Sequence, residues 1–242
     1  MDYTIIHPEE KQEGAGAKVK RLFPSRDLNH LDPFVLSDEF FVEPDKGFPT
    51  HAHGGFEAIT YIIEGSFRHK DNLENDSTIG PGGVQRFTAG KRIEHSEMPG
   101  GDKLSHGFQL WVNLPQKLKE MDPSYQKVSR KEIPIDEEEG AIIRTIVGGK
   151  SPVKLETEIL YKDIELFEGG FTNIKIPENY IGFIYVYEGE IKINNSILKK
   201  GEALYSKNEK NFSVHTEKNG KFVLVTGRPH NEPIRLRGSF VR

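Results

Sequence analysis

The stretch GFPTHAHGGFEAITYIIEGSFRH, residues 47–69, decides the fold together with its continuation IGPGGVQRFTAGKRIEHSEM, residues 79–98. Each part carries an alternating triplet, HAH at 51–53 and HSE at 95–97. Residues two apart on a strand point to the same face, so each triplet presents two polar side chains to one side. If the two strands are neighbours, three imidazoles and one carboxylate converge, and such a set binds divalent metal ions. The sequence therefore predicts a metal site formed by His51, His53, His95 and Glu97.

Neither triplet is specific by itself. The chain has 9 histidines, so one H-x-H triplet arises readily by chance, and ordinary hydrogen-bonded strand histidines are the alternative interpretation. The metal site is favoured because Gly/Pro turns frame both triplets and a β-rich run lies between them. The other histidines in this region include His69, which lies beside the polar hairpin tip DNLENDST and is predicted to be exposed, with a position lining the mouth of the barrel as the alternative.

Glu57 has the same parity as His51 and His53, so an unbroken strand would turn it inward as well. Gly54-Gly55 could form a bulge and reverse that orientation. Three roles are open for Glu57: an additional ligand, a partner that orients a histidine, or an ordinary strand residue. The second is the one we predict.

An all-β chain is indicated throughout, because short runs rich in β-branched and aromatic residues alternate with Gly/Pro turns. Only residues 114–121, LPQKLKEM, favour a helix. The segment YVYEG at 185–189 repeats YIIEG at 61–65, which indicates a duplicated barrel. Proline and acidic residues near position 130 predict the boundary between domains 1–130 and 131–242.

The second copy has lost the ligands. Counting back from the shared tyrosine places Lys175, Pro177 and Ile181 where the first copy has His51, His53 and Glu57. A lysine is cationic, and proline and isoleucine have no side-chain donor atom. His215 and Glu217 remain near the positions that correspond to His95 and Glu97. Because two ligands alone bind a metal poorly, His215 and Glu217 are predicted to have a structural role.

Composition excludes several classes of function. The chain has no cysteine, which rules out thiolate nucleophiles, iron–sulfur clusters and cysteine-bound zinc. The formal net charge is −4 with basic and acidic residues intermixed, so no nucleic-acid footprint is expected. No apolar run reaches the ~20 residues of a membrane span. The first residues lack a signal-peptide pattern, and a cytoplasmic location is expected.

The motif H-x-H, then glutamate, a Gly-Pro-Gly turn and a later histidine resembles the metal motifs of the cupins. More closely, GFPTHAHGGFEAITYIIEG, IGPGGVQRFTAG and IEHSEMP, with LDPFVLSDEF upstream and GFQLWVNLP downstream, resemble the pirin family. The resemblance implies two tandem jelly-roll-like cupin barrels, a bicupin. It places the family's iron ligands on His51, His53, His95 and Glu97. Ala52 and Gly54 depart from the family, where proline and arginine are common.

The resemblance also implies a function, a metal-dependent dioxygenase that opens quercetin-type flavonols with O2. Fe(II) is the expected cofactor, and Mn, Co, Ni, Cu or Zn would suit the same ligands. The implied base is Glu97 or Glu57, and Phe48, Phe108 and Gln109 are expected to line the substrate pocket. The alternative is a redox-responsive regulatory protein that binds a protein partner without catalysis. A sugar isomerase is a third class, and it would need basic residues at the mouth, where Lys91 and Arg92 lie.

Overall fold

The computed structural model describes residues 3–206 and 208–242 and is nearly all β. The strands of the first half are Tyr3–Ile6 (β1), Glu9–Glu13 (β2), Ala17–Phe23 (β3), Phe34–Val42 (β4), Phe48–His53 (β5), Phe56–Glu64 (β6), Phe67–Asp71 (β7), Asp76–Ile79 (β8), Val84–Thr88 (β9), Ile93–Pro99 (β10), Ser105–Asn113 (β11) and Ser124–Val128 (β12). Those of the second half are Ile135–Glu138 (β13), Ala141–Val147 (β14), Ile159–Leu166 (β15), Phe171–Lys175 (β16), Ile181–Ile193 (β17), Ser196–Lys199 (β18), Ala203–Ser206 (β19), Asn211–His215 (β20), Gly220–Gly227 (β21), Leu236–Arg237 (β22) and Phe240–Val241 (β23). The predicted all-β class is confirmed.

The predicted helix at 114–121 is wrong. The structure has a short 3-10 turn at Gln116–Leu118, and another at Arg130–Glu132. The buried side chain of Lys119 explains the difference, because its ammonium donates to the carbonyl of Gly55 at 2.9 Å and to Asn113 Oδ1 at 2.7 Å. These bonds draw the chain inward after one turn. Within residues 3–206 and 208–242, no helix is long and apolar enough to cross a bilayer.

The chain divides into two compact units. The first comprises residues 9–133, 155–157 and 230–242, and the second comprises 3–8, 134–154 and 158–229. Strand β1 pairs with β19 and so belongs to the second unit. The final residues belong to the first unit, whereas the sequence analysis assigned residues 1–130 to one domain and 131–242 to the other.

The first unit contains two large antiparallel sheets and a two-stranded one formed by β22 and β23. The larger of the two main sheets has the order β12-β9-β6-β11-β4-β3-β2, and the smaller has the order β5-β10-β7-β8. Apolar side chains form one cluster around Phe40, Ile62 and Phe67 and another around Phe56 and Phe87. Strands of the smaller sheet carry His51, His53, His69, His95 and Glu97, and strands of the larger sheet carry Thr60 and Gln109.

A bend at Gly54-Gly55 separates β5 from β6. Gly55 has a φ of +84°, and a Cβ there would lie 1.9 Å from the carbonyl oxygen of Val241. The amide of Val241 donates to the carbonyl of Gly54 at 2.9 Å, so the close approach secures the last residues of the chain. Only glycine combines this backbone conformation with so near a neighbour.

The second unit repeats the arrangement. Its main sheet has the order β1-β19-β17-β21-β15-β14-β13, and β20 pairs with both β16 and β17. The 13-residue strand β17 pairs with β21 and β19 through its first part and with β18 and β20 through its last part. Buried aliphatic and aromatic side chains from these strands form one apolar cluster.

Candidate metal centre

The imidazoles of His51, His53 and His95 converge. β5 and β10 are antiparallel neighbours, with His51 opposite His95 and His53 opposite Ile93. The Nε2 atoms of His51 and His53 are 2.8 Å apart, and the ring centroid of His95 lies 4.6 Å and 4.9 Å from theirs. One ligand atom from each histidine lies within 4.8 Å of the other two. The structure therefore brings together the three histidines of the two triplets.

The remaining ring nitrogens fix the tautomers of two of these histidines. His51 Nδ1 lies 2.7 Å from the carbonyl of Pro49, and His53 Nδ1 lies 3.0 Å from the carbonyl of Ser239. A carbonyl only accepts hydrogen bonds, so each Nδ1 carries the proton and each Nε2 keeps its lone pair. Two lone pairs that face each other at 2.8 Å repel unless a cation lies between them.

The donor set fits a metal ion. His95 Nε2 is buried and finds no hydrogen-bond partner among residues 3–206 and 208–242. Two nitrogens bound to one ion at about 2.1 Å are about 3.0 Å apart in an octahedral shell and about 3.4 Å apart in a tetrahedral one. The 2.8 Å separation of the Nε2 atoms of His51 and His53 is close to these values, so both nitrogens could hold one ion.

Glu97 is buried and held by the facing sheet. The hydroxyl of Thr60 donates to its Oε1 at 3.0 Å, and the side-chain amide of Gln109 donates to its Oε2 at 2.9 Å. Burial raises the pKa of Glu97, although His69 and these hydrogen bonds oppose the shift. Its carboxylate forms a second candidate ligand group with His69 and His95, again within 4.8 Å. His95 is common to both groups.

His69 is the residue that sequence reasoning missed. It was predicted to be exposed at a hairpin tip, and the structure buries it completely. β7 pairs with β10 so that His69 lies opposite Glu97 and Asp71 lies opposite His95. The alternation of Phe67, His69 and Asp71 on the inner face was the available signal, because residues two apart share a face.

Aromatic rings surround the histidines and keep them neutral. The ring of His53 packs against Phe56, Phe87 and Trp111 at centroid distances of 5.1, 5.7 and 4.8 Å. Burial, with a smaller contribution from His51, lowers the pKa of His53 to about 3. Burial and the neighbouring histidines also hold the pKa of His95 well below its ordinary value. These two ligands are therefore unprotonated at neutral pH and available to a metal.

A cavity of about 440 Å³ opens onto the centre. It is lined by His51, His53 and Glu97, and by two of the three predicted pocket residues, Phe48 and Gln109. Its remaining lining is Glu13, Gly14, Val19, Arg21, Leu36, Asp38, Phe40, Pro49, Phe67, Trp111, Leu236, Gly238 and Ser239.

Phe108 does not line this cavity, contrary to the sequence expectation. It is buried, with 4% of its surface exposed, and it follows the pattern of alternation along β11. Gln109 and Trp111 point to the cavity face, so the side chain of Phe108 points to the opposite one.

Glu57 also lies away from the histidines. The hydroxyl of Thr88 donates to its Oε1 at 2.9 Å, and the amides of Glu156 and Thr157 donate to its Oε2 at 3.0 and 3.2 Å. Glu57 and Thr60 are three residues apart on β6 and so lie on opposite faces of it, and the bend after β5 leaves Thr60, not Glu57, on the side of Glu97. Neither the predicted partnership with a ligand histidine nor the role of base at the metal agrees with this position.

The basic residues near the mouth do not form a phosphate site. Lys91 pairs with Asp122 at 2.5 Å, and Arg92 pairs with Glu94 at 2.7 Å. Arg21 lines the cavity, and its guanidinium contacts Asp38 at 2.7 Å and Glu13 at 2.7 Å. Because acidic side chains pair with each of these cations, the sugar isomerase interpretation gains no support.

The corresponding strands of the second unit carry apolar residues. Ile174 and Ile176 are buried, whereas Lys175 between them is exposed. Counting from the shared tyrosine was therefore off by one residue. His215 is only partly buried and Glu217 is exposed, and the candidate metal groups found among the described residues include neither.

Comparison with known proteins agrees with this architecture. The family model for pirin matches residues 16–112, and the model for the pirin C-terminal cupin domain matches residues 161–242. A pirin-like protein from Solanum lycopersicum is 38% identical over 96% of this chain and 82% of its own length. The predicted pair of cupin domains is thereby confirmed, and the histidine cluster is a candidate metal site of the cupin type.

Two solved structures are informative. Quercetin 2,3-dioxygenase from Acinetobacter baumannii superposes with a TM-score of 0.90 at 30% identity, covering 98% of this chain and 90% of that one. The bacterial pirin YhhW from Escherichia coli, solved in complex with nickel(II), has a TM-score of 0.78 at 20% identity over 94% of this chain and 99% of that one, which shows the shared fold. The matching family models and the extent of these similarities show that this chain belongs to the pirin family.

Proposed function

We propose that this protein is a metal-dependent dioxygenase that opens quercetin-type flavonols with O2. His51, His53, His95 and Glu97 are the proposed ligands, Fe(II) is the proposed metal, and Mn, Co, Ni, Cu and Zn are the alternatives. The observation that carries the proposal is the convergence of three imidazoles, of which those of His51 and His53 line a cavity of about 440 Å³. A cytoplasmic location remains a prediction.

The cavity suits a small oxygenated aromatic molecule. Phe40, Phe48, Phe67 and Trp111 supply apolar surface, while Gln109 supplies an amide beside Glu97. Pockets for such ligands are typically about 300–1,000 Å³, apolar and furnished with a few placed polar groups. Its volume and lining therefore match the substrate class.

The residues around the centre have separate tasks. When bound, a divalent ion supplies positive charge that favours the deprotonated flavonol, and it offers open positions for the chemistry of dioxygen. Glu97 accepts the flavonol hydroxyl proton at a carboxylate oxygen, and its raised pKa makes it a stronger base than an exposed glutamate. Thr60 and Gln109 keep the carboxylate in place, and Phe48 excludes water from one wall of the cavity.

The similarity to the quercetin 2,3-dioxygenase from Acinetobacter baumannii supports this substrate class. The competing role, a regulatory protein with a partner, would favour a metal too enclosed to admit a substrate. A cavity lined by three of the four proposed ligands favours catalysis over that role.

The test is anaerobic loading with Fe(II), followed by quercetin and O2. We expect the loaded wild type to consume flavonol and O2 faster than free Fe(II), and His53→Ala to lose that excess. His215→Ala, in the second unit, is the matched control and should retain wild-type activity. Flavonol consumption no faster than with free metal would contradict the proposed reaction.

A further inference from the structure

The three ligand histidines are not oriented in the same way. His51 and His53 contact backbone carbonyls through Nδ1. His95 Nδ1 instead lies 3.4 Å from Nδ1 of His69, a second imidazole. A carbonyl determines the tautomer of its partner, but an imidazole nitrogen either donates or accepts, so this contact alone does not determine the tautomer of His95.

The contact continues to a carboxylate. His69 Nε2 lies 2.9 Å from Oδ2 of Asp71, and the side chains of both residues are fully buried. An ionised carboxylate only accepts hydrogen bonds. A neutral His69 therefore donates through Nε2–H and keeps a lone pair on Nδ1. That lone pair accepts a proton from His95 Nδ1, which leaves His95 Nε2 free of hydrogen.

Asp71 is itself held by the turn that follows β7. Its Oδ1 accepts hydrogen bonds from the amide of Leu73 at 2.9 Å, the amide of Asn75 at 3.1 Å and the side chain of Asn75 at 3.0 Å. The side chain of Asn75 also reaches Oδ2 at 3.0 Å. Because the two backbone amides require an acceptor at Oδ1, the other oxygen is directed to His69.

We propose that Asp71 and His69 form a relay that holds His95 in its metal-binding tautomer, with the proton on Nδ1 and the lone pair on Nε2. Three observations support it: the two consecutive contacts, the burial of both relay side chains, and the buried His95 Nε2 that finds no partner in the described chain. The relay rests on the proposed metal site. His69 is thus a positioning residue and not itself a ligand, although it lies within 4.8 Å of His95 and Glu97.

Asp71→Asn is the decisive variant because asparagine has the shape of aspartate but replaces one acceptor oxygen with a donor NH2 group. This replacement reverses the direction of the hydrogen bonds to His69 and His95. The turn amides still require an oxygen at Oδ1, so the new NH2 group faces His69 and donates to its Nε2. His69 then donates through Nδ1 to His95 Nδ1, and the proton of His95 moves to Nε2. A similar exchange at the aspartate of a catalytic triad places histidine in the wrong tautomer.

Two readouts test the relay on the full chain. The first is the 15N chemical shifts of His95 in the metal-free protein, which report the tautomer whether or not the protein is an enzyme. The second is nickel(II) affinity measured by competition with a chelator. Glu39→Gln is the matched control, because Glu39 is a buried carboxylate that contacts His106 at 2.9 Å and lies outside the site.

We expect wild-type His95 to be protonated on Nδ1 and the Asp71→Asn protein to carry that proton on Nε2. Nickel(II) affinity should fall by about 10- to 100-fold in Asp71→Asn, as is typical when a ligand's outer partner is removed, and stay unchanged in Glu39→Gln. In a His69→Leu background, Asp71→Asn should add no further loss, since the two residues act through one path.

Wild-type His95 protonated on Nε2 would overturn the relay even if Asp71→Asn does not fold. The relay would also be overturned if a folded Asp71→Asn protein bound nickel(II) with wild-type affinity. The same holds if adding Asp71→Asn to His69→Leu lowered nickel(II) affinity by about a further 10- to 100-fold. If the wild type binds no metal, the proposed function fails, and the tautomer of His95 still decides the relay.

Discussion

The corresponding pair of strands carries inward-facing histidines in the first unit and inward-facing apolar residues in the second. In the first, β5 and β10 direct His51, His53 and His95 to the interior, each held at its other nitrogen. In the second, β16 and β20 pair in the same antiparallel way and direct Ile174 and Val214 to the interior. The strand frame therefore determines where the interior positions lie, and the side chains at those positions decide whether the unit holds a metal site.

The difference has a structural consequence. In the second unit, Ile174 and Val214 belong to a large apolar cluster that also includes Phe212 and Phe222. In the first unit, one cluster includes Phe40 and Phe67, and another includes Phe56 and Phe87. Phe40 and Phe67 line the cavity, whereas Phe56 and Phe87 pack on His53. A polar layer inside a core costs stability unless its groups are paired; hydrogen bonds supply part of that pairing here, and the proposed metal ion would supply the rest.

The largest expected effect is the loss of metal from the first unit. His95→Ala removes one of three imidazoles, so we expect metal affinity to fall by at least about 100-fold. This loss is larger than the usual effect of removing a residue that only hydrogen-bonds to a ligand. Metal content per chain after equilibration with nickel(II) measures it. Stoichiometric metal in His95→Ala, or metal loss in His215→Ala, would break the comparison between the two units.

The next effect belongs to the second unit. Phe212 is 2% exposed inside the apolar cluster, so Phe212→Ala should destabilise that unit by about 3–5 kcal/mol through lost burial and a cavity. Denaturant unfolding followed by circular dichroism measures this change. Metal content at a temperature where the variant is folded should equal that of the wild type, and a reduced content would show that the second unit supports the site.

The smallest effect concerns the polar interior and pH. Burial raises the pKa of Glu57 from 4.5 to about 7. Because the folded state binds this proton more tightly than the unfolded state, the contribution of Glu57 to the free energy of unfolding is complete below pH 4.5. It is lost as the pH rises towards 7, and the total change is about 3 kcal/mol. Glu57→Gln does not titrate, so its free energy of unfolding should exceed that of the wild type by an amount that grows over this interval. A constant difference between pH 4.5 and 8 would contradict the assignment.

The outcome for the two predicted carboxylates shows where sequence periodicity fails. Glu97 and His95 lie on one uninterrupted strand, and parity correctly places both side chains inside. Glu57 is separated from His53 by Gly54-Gly55, and the bend there reverses the parity on which the expectation relied. Periodicity carries information within a strand but not across a glycine bend.

The sequence by itself determined the all-β class, the duplication and the three converging histidines, because these follow from alternation along strands and from motifs separated by turns. Only the tertiary structure decided what surrounds them. It paired β7 with β10 and so buried His69 beside His95. It brought Ser239 back to His53, 186 residues away along the chain. Contacts of this kind depend on which strands become neighbours, and local sequence does not encode that choice.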